Sequence, residues 1–568
     1  MIDLNSFLND VAPSDDDTGF GLGGRRTRIS REELADRLKH YEDLHDDFVA
    51  TDEHLEALVS IFHDHNNLFL TGGAGTGKTT FIKQVVIPEL DYRNLHWSVT
   101  ATTGIAGSHL DGKTINSFFG IGLGPKWTRL YPREIKEFLE TAEIGARAPH
   151  PVDMNDDELK CWYAYLFDLW HNKSNVKAHI RQGVIKRLRS HEVLLIDEIS
   201  MCGGDTMLGF LDYMLKILRD DDRPFGGLQL IMIGDFAQLP PVDDSQHTGV
   251  PSRSDWAFLS RAWISARVSA QELTRVFRQG DREFIKFLND IRDGKPVDKD
   301  YVARFVRNDM SMEETKNYTF LVPTNKQAKA LNVNALQHYP DPTVPLEAEY
   351  VIEPDFQKMA HWEARKISDV KAALDKALRL LEKTTFVRVG YPVMFTVNDS
   401  GGRFVNGTRG FVREININRR TKEDPYDTDN IVVGIPNYDD PEGEESLVTL
   451  RRHNFSRNRD QDPYDTIPAP PEVTERTGLP DLPVYPVIRQ FPLIPATAIT
   501  IHKSQGMSMD TGILALARSF APGQVYVGLS RLTSPRGMVL TEAEFEAQSD
   551  PLVLHYYRAI REGGAAEA

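Results

Sequence analysis

Residues 67–90 read NLFLTGGAGTGKTTFIKQVVIPEL. The first five residues are a short apolar run of the kind that makes a buried strand, and FIKQVVIPEL returns to helical spacing. Between them, Gly72, Gly73, Ala74, Gly75, Thr76, Gly77, Lys78 and Thr79 fit G-x-x-x-x-G-K-[ST] in the strand-loop-helix setting that gives this pattern its meaning. Glycines let backbone N–H groups curl around phosphate oxygens, and the helix that follows turns its positive end toward them. Lys78 is expected to reach the β- and γ-phosphates, Thr79 to lend its hydroxyl to Mg²⁺, and Thr80 to complete the cradle. Taken alone, the loop says nucleoside triphosphate and no more.

Outward from this stretch, WSVTA (97–101), VLLID (193–197), LQLIMIGD (228–235) and TFLVPT (319–324) read as further buried strands with helical stretches between them. Such alternation implies α/β layers around a mostly parallel sheet. The run VLLI delivers Asp197 and Glu198 at a strand end, where Asp197 is expected to hold the metal and Glu198 to orient or deprotonate an attacking water. A third strand runs into GDFAQLPP (234–241), which leaves the Gln238 amide free to sense a γ-phosphate.

Two stretches break the rhythm. Residues 124–190 are helical and carry Trp127, Tyr131, Trp162, Tyr163, Tyr165, Phe167 and Trp170, expected to be core. Residues 386–490 carry short β-like runs between polar turns, the pattern of a small β-barrel insert. Just before it, Ile367, Val370, Leu374, Leu378 and Leu381 mark one face of a packing helix. Residues 1–28, rich in Asp, Gly and Ser, read as disordered, and from Ser30 a lead-in helix places Leu34, Leu38, Tyr41 and Leu44 roughly on one face.

A chain of 568 residues exceeds what one core organises, so two or more domains are expected. No apolar run is long enough to span a bilayer, and the N-terminus lacks the basic start and apolar stretch of a secretory signal. Cys161 and Cys202 can form neither a disulfide framework nor a Cys-rich zinc site. A net charge of -17 argues against broad adhesion to nucleic acid, so any such contact must be local.

TGGAGTGKT (71–79), TATTGIAGSHLDGKTINSFFGIG (100–122), LLIDEIS (194–200), GDFAQLPPV (234–242), ELTRVFRQ (272–279), LVPTNKQAKALN (321–332), FVNGTRG (404–410), AITIHKSQGMSMD (498–510) and GQVYVGLSRL (523–532) follow one another in this order. Together they resemble superfamily 1 DNA helicases of the branch that holds the Pif-type, RecD-type and Dda-type enzymes, over most of residues 50–540. The resemblance implies two RecA-like domains that clamp ATP. These are residues 46–268, with a helical insertion carrying a strand-separating wedge at 124–190, and residues 269–568, with an SH3-like β-barrel insertion at 386–490; residues 1–45 form the tail and lead-in helix.

It also implies an ATP hydrolase that moves 5′ to 3′ along single-stranded DNA and unwinds duplex, in replication, repair or recombination. Gln238 matches the γ-phosphate sensor, while Arg278 and Arg531 match arginines that reach the nucleotide from the second domain. Thr100, Thr102, Thr103 and Phe118 in the first domain, with Pro323, Thr324, Asn325, Thr500, His502 and Lys503 in the second, match segments lining a DNA groove. Phe118 reads equally as a base-stacking ring or as core. Where the family often has a Gln that reads adenine, this chain has His54, read either as its replacement or as an exposed helix histidine.

The expected partners are single-stranded and forked DNA, with the N-terminal tail a candidate recruiter of a replication or single-strand-binding protein, on a monomeric enzyme. The expected setting is the cytoplasm beside the nucleoid, or that of a phage-infected host, with a nucleus also open. Two other readings stand beside the helicase: a translocase that remodels protein-DNA complexes, and a nucleotide-gated scaffold that binds DNA without steady turnover.

Overall fold

The computed structural model describes residues 28–46, 48–102, 110, 112–121, 154–171, 178–241, 255–353, 384–397, 399, 401, 403–404, 407–417, 429–436, 445–454, 465–468 and 481–562. The strand before the phosphate loop forms as β1 (Leu68–Gly72), buried at every position. With it stand β2 (Trp97–Ala101), β3 (Lys113–Thr114), β4 (Val193–Asp197), β5 (Gln229–Ile233) and β6 (Ser269–Leu273). They form a six-stranded sheet in the order β3-β2-β4-β5-β1-β6, parallel at every pairing.

Both faces of this sheet are covered, which is why its central strands are continuous apolar runs. Alternate residues face opposite ways. Phe69, Leu194, Ile196, Leu230 and Met232 join a core that includes Trp162, Tyr163, Tyr165, Phe167 and Trp170 of helix Asp156–His171. Leu68, Leu70, Val193, Leu195, Ile231 and Ile233 join Phe81 and Val85 and the lead-in helix Arg31–Leu44. That helix is capped by Ser30, whose side chain accepts from Glu33 N, and it buries Leu34, Leu38 and Tyr41. Leu44, expected on the same face, is the last residue of the helix and is 60% exposed.

The second half contributes β7 (Thr319–Val322), β8 (Val344–Glu347), β9 (Glu349–Glu353), β10 (Thr384–Val387), β11 (Pro392–Phe395), β12 (Arg409–Asn416), β13 (Asn430–Ile435) and β14 (Ser446–Leu450). β15 (His453–Asn454), β16 (Asp465–Pro468), β17 (Asp481–Gln490), β18 (Leu493–Pro495), β19 (Ala498–Thr500), β20 (Gly512–Leu514) and β21 (Met538–Leu540) follow. A parallel sheet in the order β19-β7-β20-β21 makes the core layer of the second half. Between β7 and β19 lies the β insertion, centred on an antiparallel sheet in the order β14-β13-β12-β11-β18 around Val393, Phe395, Val412, Ile431 and Val433.

Several boundaries differ from expectation. The break expected at 268/269 cuts β6 from its sheet, since β6 pairs with β1 from Leu68↔Ser269 to Gly72↔Leu273. The C-terminal helix Pro551–Arg561 also returns to the first domain, where Val553, Tyr556 and Tyr557 pack beside Phe69, Phe236 and Trp263. The β insertion is wider than 386–490: β8 and β9 pair into it from one side and β18 from the other. The tail over residues 1–27, Trp127, Tyr131, the expected wedge and the helix at 367–381 lie outside the described residues. Among the described residues no helix is long and apolar enough to cross a membrane.

Candidate active site

β1, β4 and β5 lie side by side and end at one edge of the first sheet, so the phosphate loop, Asp197 and the turn holding Gln238 meet there. A cavity of about 620 Å³ opens at this edge. One wall is residues 74–80 with Asp197, Glu198, Gly234 and Gln238; the other is Phe277, Arg278, His502, Lys503, Gln505, Gly506 and Arg531. The cleft is therefore completed by residues far downstream of the loop.

The register Gly72↔Leu273 sends residues 274–279 out of the sheet beside the loop. The Gly75 carbonyl holds them, accepting from Phe277 N at 2.8 Å and Arg278 N at 3.3 Å. Gly75 has φ +80, and a Cβ there would meet Arg278 Cβ at 2.6 Å, so both the backbone conformation and the close approach require glycine. Lys78 Nζ donates to Gly72 O at 2.6 Å and Gly73 O at 3.0 Å. Burial lowers its pKa to about 8, against the pull of Asp235. Thr79 is exposed into the cleft.

Glu198 stands in the left-handed region at φ +53, a conformation an L residue holds only when its surroundings impose it. Its backbone is held on both sides and its carboxylate at one oxygen. Its N–H donates to Asp197 Oδ1 at 2.9 Å, its carbonyl accepts from Thr102 Oγ1 at 3.0 Å, and its Oε2 accepts from Gln505 Nε2 at 3.0 Å. Burial raises the Asp197 carboxyl above its ordinary range, with Glu198 adding to the rise; burial also raises Glu198, against the pull of Lys78 and Arg531. Two crowded acids with a neighbouring hydroxyl are hard oxygen donors in need of counter-charge, which suits a divalent cation.

Burial would raise Asp235, but Arg292 and Lys78 pull it below the ordinary range. Arg292 donates to both of its oxygens at 3.2 Å and the Tyr557 hydroxyl donates to Oδ1 at 2.9 Å. Gln238 begins one turn later, its N–H donating to Asp235 O. Gly523, at φ +73, lies so close to the carbonyls of Ala237 and Gln238 that any Cβ would collide with them, so the second domain packs against the turn that holds Gln238.

Arg531 is 2% exposed and donates to Val527 O at 2.9 Å, to Ser530 Oγ at 2.9 Å and to the carbonyls of Ser504 and Met507 at 3.4 Å. Burial, then the neighbouring Arg278, lowers its pKa to about 9. Arg278 donates to Ser530 O at 3.4 Å. It sits on the chain linking β6 to helix Arg282–Arg292, at the seam between the domains rather than within the second sheet.

His54 has a different place from the adenine reader expected. Its ring is 2% exposed, wedged against Phe48 and Phe81 with ring centroids 5.2 and 4.5 Å away. Its Nδ1 accepts from Thr51 N at 3.2 Å in a capping box that starts helix Asp52–Leu58. It does not line the cleft. The exposed-histidine reading fails as well.

The residues expected along DNA divide. Thr100 is fully buried with its hydroxyl on Leu195 O, and Thr500 is 3% exposed with its Oγ1 accepting from Lys503 N, so neither side chain faces a groove. Phe118 is core: 1% exposed, edge-on to Phe119, with the Arg187 guanidinium over its face. Pro323 is buried, and its carbonyl accepts from Gln524 Nε2. Thr102, Thr324, Asn325, His502 and Lys503 keep exposed surface, Thr324 as the cap of helix Asn325–Leu336. Thr103 lies outside the described residues.

Four residues at the site were not singled out from sequence. Phe277, 41% exposed, packs its ring edge 3.4 Å from where a Gly77 Cβ would lie, at the cleft mouth. The Tyr526 hydroxyl accepts from Ala74 N at 2.8 Å, bridging the second domain to the phosphate loop. Gln505 grips Glu198. Phe520 is 57% exposed, its ring stacked on His502 with centroids 6.2 Å apart and planes 18° apart. An aromatic next to Arg278 in one motif was the available signal for Phe277; the others depend on contacts across the domain seam.

Comparison with known proteins adds the following. The family described as PIF1-like helicase matches residues 51–147 and 170–301. The chain is 30% identical over 504 residues to the ATP-dependent DNA helicase Pif1 of Bdellovibrio bacteriovorus, covering 88% of this chain and 90% of that protein. It is similar to the crystal structure of Pif1 helicase from Candida albicans at a TM-score of 0.60 and 26% identity, over 90% of this chain and 100% of that one. It is similar to Bacteroides Pif1 bound to ssDNA at a TM-score of 0.55 and 25% identity, over 91% and 98%.

Proposed function

The chain belongs to the PIF1-like helicase family and is an ATP-dependent DNA helicase; we propose that its cleft hydrolyses ATP through the residues placed above and that it moves 5′ to 3′ along single-stranded DNA. The observation that carries the mechanism is the single cavity lined by the phosphate loop and two acids on one side and by Arg278 and Arg531 on the other.

Residues 74–80 cradle the phosphates, with Lys78 on the β- and γ-oxygens. Thr79 and Asp197 fit a Mg²⁺ ion, which when bound draws charge from the β- and γ-phosphates. Water attacks the γ-phosphorus as the bond to the bridging oxygen breaks. Glu198 accepts the water proton, ADP carries away the bridging oxygen, and Gln238, Arg278 and Arg531 cover the charge on the transferring group. Phe277 stacks on the base at the cleft mouth.

On DNA, Thr324 and Asn325 suit phosphate and sugar contacts that ignore sequence, whereas His502 and Lys503 also stand on the wall of the nucleotide cavity. Phe520, rather than Phe118, is the ring able to stack a base, a contact worth about 1 to 3 kcal/mol. With a net charge of -17, the salt dependence of binding should report few phosphate contacts. ATP-driven closure must repeatedly oppose stacking of about 1.4 kcal/mol per base-pair step. Alternating grip between the two domains supplies the motion.

Duplexes with a 5′ or a 3′ single-stranded tail test the polarity: strand separation is expected from 5′ tails, and separation from 3′ tails alone overturns it. Lys78→Ala should lose both ATP turnover and unwinding; retained turnover would overturn the phosphate site.

A further inference from the structure

We infer that Tyr557, on the C-terminal helix, is a positioning residue for ATP hydrolysis, whose hydroxyl fixes the distance between the phosphate loop and the turn that holds Gln238. The inference rests on the reading above, in which the loop binds phosphate and Gln238 senses it.

β1 and β5 run side by side only as far as Leu70↔Ile233, and Gly234 N still donates to Leu70 O at 3.2 Å. Beyond that point the two chains part. β1 continues along β6 through Thr71↔Glu272 into the phosphate loop, while the other chain turns at Asp235 toward Gln238. The backbone ladder no longer sets the spacing there, so a side chain must. The Tyr557 hydroxyl sits in this fork. It donates to Asp235 Oδ1 at 2.9 Å and accepts from Phe236 N at 2.9 Å. With its one proton on Asp235, it accepts from Thr71 Oγ1 at 2.8 Å. One oxygen therefore ties the residue just before the loop to the chain just after β5.

Each arm of the fork leads directly to a phosphate-handling group. Asp235 Oδ1 also accepts from Ala237 N at 3.2 Å, and the Asp235 carbonyl accepts from Gln238 N at 2.9 Å, so this residue shapes the turn from which Gln238 enters the cleft. On the other arm, Gly72 O and Gly73 O, next after Thr71, accept from Lys78 Nζ. Tyr557 does not line the cavity and is 3% exposed. The Arg292 guanidinium lies 4.5 Å over its ring, and one turn further on Arg561 donates to Glu272 at 2.8 Å and to Asp293 at 2.9 Å. The hydroxyl is thereby held from outside the fork. A misplacement of about 1 Å between a positioned group and the reacting atoms costs roughly 10²-fold in rate.

The test uses the full chain carrying Tyr557→Phe, which keeps the ring and removes all three bonds, or Thr71→Val, which removes only the arm to β1. Steady-state ATP turnover is measured, together with the affinities for ADP and for ADP with aluminium fluoride, a mimic of the transferring phosphate. Tyr557→Phe should lose about 10- to 100-fold in kcat and Thr71→Val at least about threefold. The KM for ATP and the ADP affinity should stay within about threefold of the parent, while affinity for the fluoride complex falls at least about fivefold. Should Tyr557→Phe fail to fold, Thr71→Val alone decides. Either folded variant combined with Gln238→Ala should be no more than about threefold slower than Gln238→Ala by itself, because both changes remove one action. Losses that multiply overturn the inference, as do smaller losses of kcat in the single variants or an equal fall in affinity for ADP and for the fluoride complex. Parent-like turnover in Gln238→Ala would instead overturn the sensor reading on which the inference stands.

Discussion

Replacing His54 by glutamine should make the first domain more resistant to acid without removing its helix cap. Thr51 N donates to His54 Nδ1 at 3.2 Å, so the ring is neutral with its proton on Nε2, and protonation of Nδ1 would destroy the acceptor. Burial lowers its pKa from 6.5 to about 4. The folded-state value is depressed, so the unfolded chain binds the proton first. The contribution to stability is then fully present above about pH 6.5 and is lost as pH falls toward 4. Integrated from neutrality to about pH 4.5, that amounts to about 2 to 3 kcal/mol. Glutamine suits the third helical position of a Thr capping box and carries no titratable proton. Urea unfolding of both proteins, followed by tryptophan fluorescence between about pH 4.5 and 7.5, should show the variant gaining that amount on the parent as pH falls. A constant difference across the range would refute the reasoning. A large rise in the KM for ATP would return His54 to the nucleotide site.

Phe277→Ala should raise the KM for ATP about 5- to 150-fold, since stacking a base on an aromatic is worth about 1 to 3 kcal/mol. The ring is 41% exposed, so the fold should be untouched; an unchanged KM in steady-state assays would remove the base from the cleft mouth. Arg531→Lys keeps the charge but cannot reproduce four donated bonds, and should cut kcat by about 10³-fold with nucleotide binding largely kept. Turnover within tenfold of the parent would deny Arg531 its role on the transferring phosphate.

The lead-in helix, β1, β4 and β5 were legible because each is announced by consecutive residues: a cap, an apolar run, a glycine turn. The domain edges were not. β6 reads as the start of the second domain until its pairing with β1 is seen, and nothing local in helix Pro551–Arg561 says that Tyr557 will reach Asp235. Three of the expected DNA side chains are buried for a related reason. Thr100, Phe118 and Thr500 occupy motif positions, but burial decides whether a hydroxyl meets DNA or a neighbouring carbonyl, and whether a ring stacks a base or other rings.

By itself, then, the chain of residues determined the phosphate loop, the acids at the strand end and the order of the motifs, because backbone conformation and strand-end placement follow from spacing a few residues long. Only the tertiary structure decided that Gln505, Tyr526 and Gly523 close on Glu198, Ala74 and Gln238, and that His54 caps a helix instead of reading a base. The first three contacts join residues 285 to 452 positions apart, where no local propensity acts and only the packing of two sheets across one cleft brings them together.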